Sequence, residues 1–276
     1  MRRPYVLATI TWAFVAWSLL PIAVAFAVSV GHDPLSAASG FDLSAYRAAF
    51  RSTEVRAVFA HSVFLAAATV MIAVPLGTAM GLGLAHLIHR RWRVVGGLLL
   101  VMIALPHLAL AVALAYVLEF VVRIYLNTGP QLVGHITVAL PFVALIVWTR
   151  ALLLDTSYEE QAADLGAPPS STVTRVLLPL CAPAIVVAAA VAFAVSFNEL
   201  PLSHSLCTSP SCQTVPMFLA VRGLVDLPAR AAALGVIASG LSLSIFAVML
   251  VSMHILRRSG RIFLPLPSGS QGHERI

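Results

Sequence analysis

Lysine is absent from this chain of 276 residues, and Asp and Glu together number only 11. Charged residues make up 10% of the sequence against 60% hydrophobic ones, which excludes a soluble domain with the usual coat of Lys and Glu. Without Lys the phosphate-cradling loop G-x-x-x-x-G-K-[ST] cannot be built, so nucleotide binding of that kind is excluded as well. Cysteine is scarce, with three residues, and neither these nor the nine histidines fall at metal-ligand spacing. The formal charge of +6 rests on 17 arginines scattered in small groups between apolar runs. They form no basic face, so membrane topology explains them better than nucleic acid does.

A helix needs about 20 apolar residues to cross hydrocarbon. Six stretches are long enough, which predicts spans near 5–30, 58–88, 94–122, 132–152, 183–201 and 231–256 in a single transmembrane domain covering 1–276. The run after Met1-Arg2-Arg3 far exceeds the roughly 7–15 residues of a signal-peptide core, so it reads as an uncleaved first span. Asn127-Thr128-Gly129-Pro130-Gln131 is a turn signal that sets the fourth start near Leu132, and the fifth span is expected to begin after Pro183. With the N-terminus inside, eleven arginines lie on the cytoplasmic side (2, 3, 90, 91, 93, 150, 175, 257, 258, 261 and 275) and six outside (47, 51, 56, 123, 222 and 230). The positive-inside rule therefore places both termini in the cytoplasm. Leu43, Tyr46 and Phe50, at helical spacing behind Asp42, predict a short amphipathic helix on the outer membrane surface.

The loop at 153–182 holds most of the acidic charge of the cytoplasmic face. Ser157 with Glu160 has capping-box spacing, predicting a helix from about Tyr158. Gly166 is placed to end it and Pro168-Pro169 to forbid continuation, while Ser170 and Ser171 can cap a second helix running through Val173, Val176 and Leu177. The first helix exposes Glu159, Glu160 and Asp164, and Ala162 and Ala163 keep it slim enough to enter a groove. Each feature has a plain structural account, since acidic residues suit a helix start and alanines favour helix. The combined spacing is what sets the loop apart.

Glu160-Gln161-Ala162, then Ala163-Asp164-Leu165, Gly166, nine residues to Val176, and Leu178-Pro179 resemble the Glu-Ala-Ala loop of permease subunits in binding-protein-dependent ABC importers. Gln161 replaces an Ala of that pattern and Val176 an Ile. Leu105-Pro106-His107 is similar to a segment of family members. Ser196-Phe197-Asn198-Glu199 and Gln213-Thr214-Val215-Pro216 look like segments of the spermidine/putrescine-type branch, and permeases for thiamine, ferric iron or aminoethylphosphonate carry similar text.

The resemblance implies an all-α, six-helix, type I importer permease of the bacterial inner membrane, without catalysis or cofactor of its own. It implies a cytosolic ATPase dimer that receives the loop, a second permease that completes the path, and a periplasmic binding protein that delivers a small solute, a polyamine-like cation being favoured. The coupling residues would be Glu159, Glu160, Ala162, Ala163, Asp164, Leu165, Gly166, Val176, Leu178 and Pro179. Ionisable or polar groups at membrane depth, His107, Glu119, Asn198 and Glu199, are candidates to line the path. His107 could instead cap backbone groups freed by Pro106. Cys207 and Cys212 flank Thr-Ser-Pro-Ser in an outer loop, where oxidising conditions permit a disulfide, and Cys181 reads as a small apolar residue. A secondary transporter would show inverted repeats, and a membrane enzyme paired catalytic groups at one depth; neither is evident.

Overall fold

The computed structural model describes residues 4–31, 41–86, 89–223 and 228–258. The described elements are helical. In chain order they are α1 (Pro4–Ser29), α2 (Ser44–Arg51), α3 (Thr53–Ala85), α4 (His89–Ala104), α5 (His107–Tyr116), α6 (Thr128–Ala151), α7 (Ser157–Asp164), α8 (Pro169–Thr172), α9 (Leu178–Phe197), α10 (Pro201–Ser205), α11 (Val215–Phe218) and α12 (Pro228–Arg258). Wide π-turns follow α5, α8 and α11. Among the described residues five helices are long and apolar enough to cross a membrane, and a sixth span forms if the bent pair α4 and α5 counts as one. Arg2, Arg3, Arg261 and Arg275 of the expected topology lie outside the described residues, as do the closing residues 87 and 88 of the expected second span.

The chain divides into two compact units. One comprises Met1–Leu65, Ala111–Gln131 and Phe197–Ser244, the other Ala66–Leu110, Leu132–Ser196 and Ile245–Ile276. The second unit holds the main core, in which Ala73 and Leu82 of α3, Ala139, Val143 and Val147 of α6, and Leu177, Cys181, Ala188 and Ala192 around α9 pack together. Small residues let these helices approach closely, the usual solution where lipid supplies no hydrophobic force between helices. Gly77 and Gly81 of α3 are the extreme case. A Cβ on Gly77 would stand 2.6 Å from Val143 Cγ1, and one on Gly81 2.7 Å from the Ala144 carbonyl oxygen. The two glycines are four residues apart, so both face α6. A second contact forms where Gly96 of α4 meets the Trp148 ring, at 2.8 Å from an added Cβ.

Polar side chains bind the same unit. Ser196 donates its hydroxyl to Thr69 (3.2 Å), so His135 Nδ1–H must donate to Ser196 Oγ (2.8 Å). All three are buried. Such interhelical bonds contribute about 0.6–2 kcal/mol each in a membrane.

The first unit is tied by its own bonds. His61 Nε2–H donates to Gln131 Oε1 (3.0 Å), and Gln131 Nε2 donates to the Cys212 carbonyl (3.2 Å). Ser62 Oγ accepts from the Val215 N–H at 2.7 Å, and Phe59 meets Phe197 edge-on. Tyr46 of α2 shares a 2.7 Å hydrogen bond with Ser29.

Several expectations are corrected. The third span is not continuous: α4 and α5 meet at a 96° bend, because Pro106 lacks an N–H and its ring crowds the preceding turn. α6 starts at Thr128, four residues before Leu132. The supposed turn is the helix start, with Asn127 Oδ1 accepting from the Gly129 N–H at 2.9 Å and Pro130 in the first turn, where a missing N–H costs nothing. The second helix of the loop runs on without a break into the fifth apolar helix, from Pro169 to Phe197, and Pro183 sits inside α9. Membrane helices absorb such a proline through neighbouring groups. The short helix expected behind Asp42 is present as α2, which turns Ala45 and Ala49 inward and leaves Leu43 and Phe50 exposed.

Replacing Gly81 with Ala is expected to drive a methyl group into the α6 backbone and cost about 1–3 kcal/mol. Thermal unfolding of purified protein in detergent checks this, with Gly83→Ala as control, since nothing lies within 4 Å of a Cβ at Gly83. Equal midpoints for the two variants would contradict the close approach.

Candidate functional site: the loop at 153–182 and the polar groups of the spans

The loop is built from α6 outward. Arg150, in the last turn of α6 where a cation favours the helix dipole, donates from Nε to the Leu180 carbonyl at 3.3 Å. Turns over Leu152–Leu154 lead to Asp155, whose Oδ1 accepts from the Ser157 N–H at 2.9 Å. That bond organises the start of α7, and it corrects the capping box expected from Ser157 and Glu160. Thr156 holds the N-cap position without a side-chain bond. An Asx turn one step upstream has satisfied the backbone first.

The far end is as the glycine requires. Gly166 takes φ +74°, in the left-handed region, where a Cβ would clash with the following carbonyl. The Ala167 N–H bonds the Ala162 carbonyl at 2.9 Å and the Gly166 N–H the Ala163 carbonyl at 2.8 Å, the two bonds of a Schellman end. Pro169 then opens α8, with Pro168 extended before it. Ser170 and Ser171 therefore lie within the first turn instead of capping it, since Pro at the first helical position gives up nothing. Val176 falls in the π-turn after α8, and Leu178 and Pro179 open α9.

α7 has no buried residue. Glu160, Ala163 and Asp164 are exposed, Ala162 is half-buried, and Leu165 is 88% exposed. Glu159 behaves differently, since its carboxylate is engaged by His86, with Nε2 2.9 Å from the nearer oxygen. His86 was not among the coupling residues expected from sequence. Its partner lies 73 positions away, and no spacing rule reaches that far.

The polar candidates of the spans are not brought together as one site. His107 is half-buried and directly follows the Pro106 break. Glu119 is exposed in the π-turn after α5, and the rings of Tyr116 and Phe120, which flank it in sequence, lie 5.1 Å apart. Asn198 is exposed. Glu199 is buried, and one carboxylate oxygen accepts from the Leu202 N–H (3.3 Å) at the start of α10. Cys207 and Cys212 are joined by a disulfide whose loop also holds the Thr208 hydroxyl on the Leu126 carbonyl at 2.8 Å. Among the described residues no three His, Cys, Asp or Glu side chains converge as a metal site requires.

Residues 73–263, well over half of the chain, match the family of binding-protein-dependent transport system inner membrane components, and the chain belongs to that family. It is 28% identical over 219 residues to the spermidine/putrescine transport system permease protein PotC of Escherichia coli K12, covering 79% of this chain and 81% of the relative. It is 27% identical over 225 residues to the trehalose transport system permease protein SugB of Mycobacterium tuberculosis, covering 79% and 81%. Among solved structures, a chain of a bacterial alginate ABC transporter in complex with an alginate-bound periplasmic protein superposes with a TM-score of 0.67 at 14% identity, over 95% of this chain and 97% of that one. The protein is thus an ABC importer permease subunit of the bacterial inner membrane. It is not an enzyme, and ATP hydrolysis resides in a separate subunit.

The Cys207–Cys212 loop hangs on Gln131. Gln131→Ala is expected to leave the buried Cys212 carbonyl unpaired, at a cost of about 1–3 kcal/mol, and to speed proteolysis of residues 200–218. Mass spectrometry of non-reduced digests should recover the Cys207–Cys212 crosslink in both proteins; free thiols in the native protein would remove the loop's covalent tie.

Proposed function

We propose that this chain forms, together with a second permease, the path for a small organic cation of polyamine type delivered by a periplasmic binding protein. Residues 153–182 face the cytoplasm and dock on the ATPase subunit, with both termini on the same side. The observation that carries the docking reading is α7 itself. It is an eight-residue helix without a buried residue, outside every candidate span, ending in a Leu165 that is 88% exposed. An apolar side chain so placed gains neither lipid nor core in the isolated subunit, so a protein groove is the partner that suits it. Closure of the ATPase around ATP then moves α7 and, through it, the spans, as a rigid-body switch between packed states.

A cation is favoured over a neutral sugar by the residue types exposed around the end of α5 and the π-turn after it. Glu119 supplies a carboxylate at membrane depth, and Tyr116 and Phe120 supply aromatic faces that attract organic ammonium groups. The polyamine permeases among the relatives support the same choice.

Two experiments test these readings. Gly166→Val would be strained by about 1–2 kcal/mol or more in its left-handed position, and Glu160→Lys reverses an exposed charge at the start of α7. Both are expected to insert and pair normally while uptake falls sharply and the ATPase co-purifies poorly; full uptake with full ATPase association would reduce the loop to a connector. For the path, Glu119→Gln is expected to raise the KM for spermidine uptake by roughly tenfold, about 1.4 kcal/mol. An unchanged KM would remove Glu119 from the path.

A further inference from the structure

His86 directly follows the last helical residue of α3, and its ring is held from two sides. Nδ1 lies 2.8 Å from the Leu82 carbonyl oxygen, and Nε2 lies 2.9 and 3.2 Å from the two carboxylate oxygens of Glu159 in the first turn of α7. Both partners can only accept, one being a backbone carbonyl and the other an ionised carboxylate. A neutral imidazole has a single N–H and would leave one contact without a proton, so the two bonds together select the imidazolium. The site is suited to that charge, because the C-terminal pole of a helix attracts cations. Gly81, Leu82, Gly83, Leu84 and Ala85 before it carry no ionisable group, and on α7 Tyr158 and Glu160 have no described bond to the ring.

We propose that His86 is a positioning residue for energy coupling: as an imidazolium it ties the first turn of the docking helix to the end of α3. The proposal rests on the reading that α7 docks on the ATPase. It divides the acidic pair of α7 into two roles. Glu160 faces outward for the partner, and Glu159 faces inward as the handle by which a movement of α7 reaches a membrane-spanning helix. The second span is 33 residues long and is clamped to α6 at Gly77 and Gly81, so its end is a firm anchor.

A consequence is pH dependence of a definite sign. The bond to Leu82, followed by that to Glu159, holds the His86 pKa above its usual value of about 6.5, with partial burial opposing. A group whose pKa is raised by folding contributes fully below its ordinary value and loses that contribution as pH rises through the raised one. The tie is therefore closed in mildly acidic medium and opens toward alkaline pH.

The test uses the full-length permease pair in detergent or nanodiscs and measures binding of the purified ATPase subunit from pH 6 to pH 8.5, which needs no knowledge of the solute. Titration of other groups is common to all variants, so the profile of His86→Arg, a permanent cation, is compared with that of wild type. Affinity of the wild type is expected to fall by roughly fivefold more than that of His86→Arg across this range, the scale of one partly exposed ion pair. His86→Ala and Glu159→Gln should bind weakly throughout, without the extra pH step. If His86→Arg and wild type titrate alike, or His86→Ala matches wild type at every pH while Gly166→Val and Glu160→Lys still abolish binding, the docking helix stands and the role of His86 is overturned. If Gly166→Val and Glu160→Lys also bind normally, docking through α7 fails and the tie falls with it. Should His86→Ala not assemble, the Arg comparison decides alone.

Discussion

Helices in a bilayer are not pushed together by the hydrophobic effect, since lipid tails are as apolar as their side chains, so what holds them must be close contact and internal hydrogen bonds. In this protein the constraint is met where Gly77 and Gly81 of α3 lie against Val143, Ala144 and Val147 of α6, with no room for a Cβ at either glycine. Much of the second unit depends on that approach. The core around α9 is made largely of Ala, Val and Cys side chains, which fill space only when backbones are near one another. The buried His135, Ser196 and Thr69 can reach one another only across helices already brought to that distance.

Histidine recurs as the crosslinking residue, and its use differs with surroundings. His61 reaches Gln131, which in turn holds the Cys212 carbonyl beside the disulfide. His135 lies buried and donates to a serine hydroxyl. His86 is half-exposed and meets a carboxylate, where a charged ring is well accommodated. The neutral partners sit within the packed interior of each unit, and the charged one sits beyond the apolar span, as the cost of burying an unpaired charge demands.

The loop at 153–182 follows another logic. α7 is held by its ends, with Asp155 on the Ser157 N–H, the Schellman bonds at Gly166 and one side-chain tie at Glu159, and its body remains exposed. A segment fixed at both ends and left open along its length keeps its shape while offering a surface. That combination suits the docking role proposed for α7, and the family to which the chain belongs divides transport and ATP hydrolysis between separate subunits.

Features that depend on nearby residues were legible in the sequence. The length of the apolar runs required lipid-spanning helices, because an unpaired backbone has no alternative in hydrocarbon. The turn that ends α7 could be read from Gly166, since a residue without a Cβ suits that φ best. Local reading failed where two local solutions compete, as when Asp155 rather than Ser157 organised the start of α7, or when a Gly-Pro turn signal became the first turn of α6. It also failed at proline. Pro75, Pro141 and Pro183 lie inside unbroken helices, whereas Pro106 separates α4 from α5, and nothing in the flanking residues distinguishes these cases. Tertiary structure alone decided which of two adjacent acids turns inward and which histidines join helices, because the partners stand 61 to 73 positions apart and meet only once the helices have packed.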